Sequence, residues 1–166
     1  MNYHFIFLVE SVDLIMKRIL VSLLFFTLNS GMADDEVFKH QDVVIGVWDT
    51  YIDAVDNKNI EEMFSYFSLP VTLHFDNNAP IVIETEESFK DIFNVWKDSN
   101  KAKFHHTERK SITVTEIRKD FLCVADVVYE RHNNENQLIS RVRSLYHFVY
   151  KNENWKIYLI TNVDLN

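Results

Sequence analysis

The residues best suited to proton transfer in this sequence are two adjacent histidines and one isolated acid. His105 and His106 are neighbours in a segment of strand character, so their side chains point to opposite faces and cannot hold one metal ion together. At most one of them reaches a pocket, and the alternative is a surface or partly buried histidine. Asp126 is the only acid inside an apolar strand, which invites a general-base role. Its expected partner Arg143 lowers the pKa of that carboxyl, which favours a structural ion pair instead.

Two further histidines and the single cysteine carry weaker signals. His74 alternates with Leu73 and Phe75, which places it at the rim of a sheet, and His147 is assigned to an outer sheet face. Cys123 lies among large apolar residues and is interpreted as a small buried hydrophobe. Since no Ser-His-Asp spacing, glycine-rich phosphate loop or HExxH motif occurs, covalent hydrolysis and nucleotide chemistry are disfavoured. No metal site and no cofactor are predicted.

Aromatic residues supply the candidates for the wall of a ligand pocket. Tyr and Trp bury their rings while offering a polar tip, so aromatic residues on the apolar sides of helices are suited to a flat or apolar small molecule. Plain core packing is the alternative. The predicted ligand-binding residues are Trp48, Tyr51, Tyr66, Trp96, His105, His106 and Tyr129.

Composition and charge limit the classes of function. The chain has 166 residues, which suits one domain, and 47% of them are hydrophobic, enough for a core. The formal net charge of -8 argues against a nucleic-acid partner and a polybasic membrane contact. Because only two Gly and two Pro occur, Asn and Asp are expected to form most of the turns.

The N-terminal region has the three parts of a secretory signal peptide, beginning at Met16. Lys17 and Arg18 precede an apolar segment over 19–28, and small residues then lead to acids from Asp34 onward. The apolar run is shorter than the roughly 20 residues that a membrane span needs. We therefore expect an upstream extension, a signal peptide ending at residue 33, and one mature domain over 34–166. We therefore predict a periplasmic or secreted protein without a stable membrane anchor. The alternative to a cleaved signal peptide is an N-terminal helix that stays attached to the domain.

The mature chain shows helical periodicity first and strand character afterwards. Apolar residues recur at helical spacing over 42–56 and again in "IEEMFSYF", which Pro70 is expected to end. After the short strands "PVTLHF" and "IVIET", Thr85 is expected to cap a third helix that runs past Trp96. Four strands follow at roughly 103–117, 121–131, 137–150 and 155–163. This order predicts an α+β fold, with three helices packed on one face of a curved, mostly antiparallel sheet.

The chain resembles the NTF2-like superfamily, the cone-shaped α+β fold of SnoaL-like proteins. The likeness rests on "VVIGVWDTYIDAVDNKN" with "IEEMFSYF", on "ETEESFKDIF", and on the closing "YKNENWKIYLITNV". The resemblance implies a pocket between the sheet and the helices and a homodimer. Some members are isomerases, cyclases or dehydratases, and many only bind ligands.

The alternation of the last strands predicts which residues share a sheet face. If the hairpin turns are centred in "HNNENQ" and "KNEN", Asp126 lies opposite Arg143, and Arg143 lies opposite Asn162. These residues and Ile160 are then expected on an outer face that forms the homodimer. The inner face is expected to carry Phe121, Cys123, Ala125, Val127, Tyr129, Val142, Ser144, Tyr146, Phe148, Ile157 and Leu159.

The predicted function is the binding of a small apolar or aromatic molecule, or an accessory role, in an exported homodimer. One alternative is a cofactor-free isomerase or dehydratase, in which His105, His106 or Asp126 moves a proton while a tyrosine hydroxyl stabilises an oxyanion. The other alternative is a structural or protein-binding module, whose pocket is filled by Trp48 and Trp96.

Overall fold

The computed structural model describes residues 38–75 and 78–163. The predicted signal peptide, its upstream extension and the predicted start of the mature chain lie outside the described residues. Among the helices in those two ranges, none has the length and apolar character needed to cross a membrane.

Three helices precede the long strands, at the positions that the periodicity predicts. Helix α1 spans Gln41–Asp56, α2 spans Ile60–Ser65 and α3 spans Glu86–Lys97. Thr85 caps α3 as predicted, because its hydroxyl accepts the Ser88 N–H at 3.1 Å. The Asn59 side chain caps α2 in the same way through the Glu62 N–H. A short 3-10 turn at Asn100–Ala102 follows α3.

Six strands form one mixed sheet in the order β2-β1-β6-β5-β4-β3. Parallel pairing joins β1 to β6, and every other neighbouring pair is antiparallel. The three helices pack on this sheet, so the predicted α+β class is confirmed. The strands are β1 Phe67–His74, β2 Ile81–Ile83, β3 His106–Arg118, β4 Leu122–His132, β5 Leu138–Lys151 and β6 Asn154–Val163.

Asn and Asp form the turns between the long strands, as their abundance relative to Gly predicts. Asp120, Asn136 and Asn152 each adopt a positive φ between 51° and 61°. The prediction that Pro70 ends α2 was wrong. The helix ends at Ser65, and Pro70 lies inside β1 after a cis peptide bond.

The predicted sheet faces hold for β4 and β5, although the pairing is shifted. Asp126 lies opposite Leu145, and Arg143 lies opposite Val128. The expected pairing was wrong by two residues, and a shift of two leaves each side chain on its own face. Asp126 and Arg143 still meet diagonally, since Nε and Nη2 donate to the two carboxylate oxygens at 2.9 and 2.6 Å.

Three residues of β6 were predicted on the wrong sheet face, because the strand contains a β-bulge. The ladder partners are His147 with Leu159 and then Phe148 with Ile157, so one residue of β6 is extra at this point. Beyond the bulge the faces of β6 exchange. Leu159 therefore leaves the predicted inner face, while Ile160 is buried in the core and Asn162 lies opposite Ser144.

The core lies between the inner sheet face and the helices. Cys123, Ala125, Val127 and Ser144 are at most 1% exposed and form its floor, as predicted. The helices contribute Val44, Trp48, Tyr51, Val55, Met63, Phe89 and Phe93. Phe121, by contrast, is an exposed turn residue.

Candidate functional site: a cavity between helices and sheet

A cavity of about 470 Å³ lies between the helices and the inner face of the sheet. This volume falls within the roughly 300–1,000 Å³ typical of sites for small molecules. Most of its lining is apolar. The lining residues are Tyr51, Val55, Met63, Leu73, Phe75, Ile81, Ile92, Phe93, Trp96, Asn100, Lys101, Lys103, Phe104, Tyr129, Arg131, Ile139, Ser140, Val142, Tyr146, Ile160 and Asn162.

The exposure of the lining residues distinguishes the mouth of the cavity from its floor. Ile81, Lys101, Lys103 and Ile139 are exposed, so the mouth lies among β2, the segment after α3, and the start of β5. Buried residues of α1, α2 and β4 form the deeper wall. A molecule that enters therefore passes two lysines and two exposed isoleucines before it reaches the aromatic interior.

Three tyrosines meet in the deep part of the cavity. Burial raises the pKa of the Tyr51 and Tyr146 phenols, and the neighbouring Tyr129 adds to the effect, while Arg131 opposes it. Both phenols are therefore neutral at physiological pH, and each has a hydroxyl hydrogen to donate. The ring of Tyr51 meets the edge of the Tyr146 ring, with 6.0 Å between centroids.

Two smaller polar side chains complete the interior. Ser144 donates its hydroxyl hydrogen to Asn162 Oδ1 at 2.8 Å, and the Tyr129 hydroxyl lies 3.4 Å from Ser144 Oγ. Only Asn162 and Tyr129 of this group line the cavity. Asn162 reaches the cavity because of the bulge on β6, and for this reason the sequence interpretation missed it.

Positive charge concentrates at one end of the cavity. The guanidinium carbon of Arg131 lies 4.3 Å from the centroid of the Phe104 ring and 5.5 Å from that of Tyr129. Lys58 Nζ lies 3.6 Å from the same Phe104 centroid and donates to the Phe104 carbonyl at 3.3 Å. Burial lowers the pKa of Lys58. The carboxylate of Asp56 raises this pKa, and the charge of Arg131 lowers it further.

Three of the seven residues predicted to bind a ligand line the cavity: Tyr51, Trp96 and Tyr129. Trp48 and Tyr66 do not. Trp48 is 1% exposed and packs its ring against Tyr129 and Tyr146, which makes it part of the core behind the wall. Tyr66 follows the last residue of α2 and meets the ring of Tyr51 edge-on.

The two adjacent histidines lie outside the cavity, whereas both were named as candidate ligand-binding residues and at most one was expected to reach the pocket. The strand β3 begins only at His106, so His105 precedes it and is exposed. The His105 N–H donates to the His132 carbonyl at 2.7 Å. The His106 ring stacks on the His132 ring, with 5.0 Å between centroids and 7° between planes.

His132 belongs to a charged cluster on the outer side of β3 and β4. Its Nε2 lies 3.6 Å from a carboxylate oxygen of Glu108 and 3.7 Å from one of Glu130. These three side chains are close enough together to hold a metal ion. Lys110 Nζ lies 2.9 Å from Glu108 and 3.5 Å from Glu130, so an ammonium group already pairs with both carboxylates.

The other candidates for chemistry also lie away from the cavity. Asp126 is on the outer face, and its hydrogen bonds with Arg143 hold the pKa of its carboxyl below the usual range. Burial raises the pKa of the Cys123 thiol to about 12, so the thiolate is scarce at neutral pH. Among the described residues, no Asp, Glu, His or Cys lines the cavity.

The fold and the cavity together define an NTF2-like protein: three helices on a curved mixed sheet with a pocket between the two layers. A family model described as "NTF2-like protein (DUF6841)" matches residues 44–165, and the chain belongs to that family. None of the curated proteins compared with the chain matches it.

Solved structures support the same fold. An NTF2-like protein from Cytophaga hutchinsonii is similar at 16% identity, with 76% of this chain and 99% of that chain covered and a TM-score of 0.60. A domain of unknown function with a cystatin-like fold from Nostoc punctiforme shares 14% identity over 76% and 78% of the chains, with a TM-score of 0.62. A putative scytalone dehydratase from Novosphingobium aromaticivorans shares 10% identity over 76% and 85%, with a TM-score of 0.57.

Proposed function

We propose that this protein binds a small, largely apolar or aromatic molecule in the cavity between its helices and its sheet. The observation that carries the proposal is an open cavity of about 470 Å³ with aromatic and aliphatic walls and a few polar groups. Apolar surface that a ligand covers is removed from water, which favours binding, while the tyrosine hydroxyls and Asn162 fix its orientation.

The alternatives that the sequence left open have less support. A proton-transfer enzyme was expected to use His105, His106 or Asp126, and none of the three lines the cavity. The structural alternative required that Trp48 and Trp96 fill the pocket. Trp48 lies in the core instead, and Trp96 forms part of a wall around open space.

Native mass spectrometry of the protein purified from its own cells tests the binding proposal. We expect a fraction of the chains to carry a small molecule that is released on denaturation. Val142→Phe projects a larger side chain from β5 into the cavity beside Tyr129 and is expected to abolish this added mass. Val82→Phe, at an exposed position on β2 outside the lining, is the matched control. An adduct that survives Val142→Phe and is lost in Val82→Phe contradicts the proposal.

We also propose that the outer face of the sheet joins two copies of the chain. This face combines the Asp126–Arg143 ion pair with half-buried apolar side chains, Leu122, Val124, Val128, Leu145 and Val149. Apolar side chains on an otherwise charged surface are typical of the centre of an interface.

The proposed dimer is tested by light scattering coupled to size exclusion. The wild-type chain is expected at twice the monomer mass, and Leu145→Glu, which adds charge at the centre of the face, is expected as a monomer. Val95→Glu makes the same kind of change on the exposed side of α3 and is expected to leave the dimer intact. A monomeric wild-type protein contradicts this proposal and leaves the binding proposal standing.

Export is the third part of the proposal and rests on the segment from Met16 to Ala33. Expression from Met16 with intact-mass analysis of the periplasmic or secreted fraction is expected to show a chain that begins near Asp34. A full-length chain that stays in the cytoplasm contradicts it.

A further inference from the structure

We infer that the ligand of this cavity is an amphipathic monocarboxylate, whose carboxylate binds the Arg131 guanidinium while its apolar body occupies the aromatic interior. The inference rests on the proposed binding function and narrows it to one class of ligand.

The charge of the lining is opposite to the charge of the protein. The chain carries a formal net charge of -8, with 25 acidic and 17 basic residues. The charged residues that line the cavity are Lys101, Lys103 and Arg131, and among the described residues no acid joins them. A cleft with low-dielectric walls concentrates the field of the Arg131 guanidinium, and this field attracts anions.

Arg131 differs from three of the four other arginines of the described sheet; the fourth, Arg118, is exposed and approaches the Phe121 ring. Arg109, Arg141 and Arg143 each lie within 4 Å of a carboxylate, those of Asp49, Glu130 and Asp126. Arg131 has no such partner among the described residues. Its Nε is buried and lacks a hydrogen-bond acceptor in the described structure.

A guanidinium without a carboxylate partner gains free energy when an anion forms charge-assisted hydrogen bonds with it. A guanidinium presents its N–H groups as a planar fork that matches the two oxygens of a carboxylate. The Phe104 and Tyr129 rings hold this group at the cavity wall. Ser140 lies opposite Arg131 on the neighbouring strand β5. It also lines the cavity and adds a hydroxyl donor.

Asp56, the acid at the end of α1 beside this part of the sheet, is already engaged. Asp56 accepts the Thr107 N–H and the Thr107 hydroxyl hydrogen, both at 2.7 Å. Lys58 Nζ approaches the same Phe104 ring as Arg131 and donates to backbone carbonyls of Asp56 and Phe104. Lys58 is thus a second cation near the guanidinium, and it makes the electrostatic potential there more positive.

The rest of the lining sets the shape of the ligand. Phe93, Trp96, Ile92 and Ile160 offer apolar contacts. The neutral phenol of Tyr51 can donate a hydrogen bond without adding charge. One anionic group at the Arg131 end and an apolar body elsewhere satisfy both parts of the lining. A polyanion would leave charge against the apolar walls.

The test compares two probes of nearly the same shape, the anionic pyrenebutyrate and its uncharged amide, by fluorescence titration of the full domain. The wild-type chain is expected to bind the carboxylate at least tenfold more tightly than the amide, which corresponds to about 1.4 kcal/mol. Arg131→Met keeps the length of the stem and is expected to remove this preference. Arg131→Lys is expected to restore part of it, and Arg109→Met, outside the cavity, is expected to leave it unchanged.

The outcomes separate the inference from the proposed function. Equal affinity of the wild-type chain for the two probes overturns the inference and supports the binding function. Binding of neither probe overturns both. Since the wild-type ratio decides the question by itself, the test stands even if Arg131→Met fails to fold, which circular dichroism detects.

Discussion

Introducing an acid at either of two adjacent valines of β4 tests the division of the sheet into an inner and an outer face. Val127 is 0% exposed and belongs to the core, whereas Val128 is half-buried on the outer face, opposite Arg143. Val127→Asp loses the burial of a valine, about 1.5–3 kcal/mol, and places a polar group in the core without a partner, which costs several kcal/mol more. The expected loss is at least about 4 kcal/mol, close to the whole stability of many domains.

Val128→Asp is the matched control, because it makes the same chemical change one residue away. The new carboxylate lies across from Arg143, and cross-strand pairs of opposite charge contribute roughly 0.2–1 kcal/mol. We therefore expect the free energy of unfolding of the monomer to change by less than about 1 kcal/mol. Urea unfolding, followed by tryptophan fluorescence at two protein concentrations, measures both variants and separates any contribution of dimerisation. Comparable losses in the two variants, or the larger loss at Val128, would refute the assignment of the faces.

Three further predictions follow from the pKa shifts. Because burial raises the pKa of Cys123 to about 12, iodoacetamide at pH 8 is expected to label this thiol only after unfolding, and rapid labelling of the native chain contradicts its burial. Burial lowers the pKa of His147 in the folded state, so the unfolded state takes up the proton more readily and stability is expected to fall as the pH drops below about 6.5. His147→Gln should flatten this dependence, and an unchanged profile argues against it. Asp126→Asn is expected to lower the free energy of unfolding by less than about 1 kcal/mol at pH 7, since the pair with Arg143 is about a third exposed. The ion pair stabilises the fold above the carboxyl pKa of the unfolded chain. This stabilisation disappears as the pH falls through the lowered pKa of the folded chain.

The elements of this fold could be predicted from the sequence because their signals are local. Helical periodicity located α1 and α3 to within a residue or two at most of their ends, and Thr85 marked the start of α3 correctly. The face of Asp126 and Arg143 was also predictable, because alternation along a strand survives a shift of two residues in its pairing.

The register beyond a bulge could not be predicted in this way. No glycine or other local signal marks the extra residue of β6, so Ile160 and Asn162 were assigned to the wrong face. The positions of His105 and His106 depended on where β3 begins, and boundaries are the least certain part of such an interpretation. Arg131 did carry a signal. It lies two residues after the inward-facing Tyr129, and the same alternation places it on the inner face.

The most direct test of the central claim is a titration of the wild-type domain and of Val142→Phe with pyrenebutyrate, followed by energy transfer from tryptophan. Trp96 lines the cavity, so a probe bound there lies next to a donor. We predict saturable quenching at one probe per wild-type chain and at least tenfold weaker binding by Val142→Phe. Quenching that does not saturate, or that is equally tight in Val142→Phe, would contradict the claim that this cavity is the binding site.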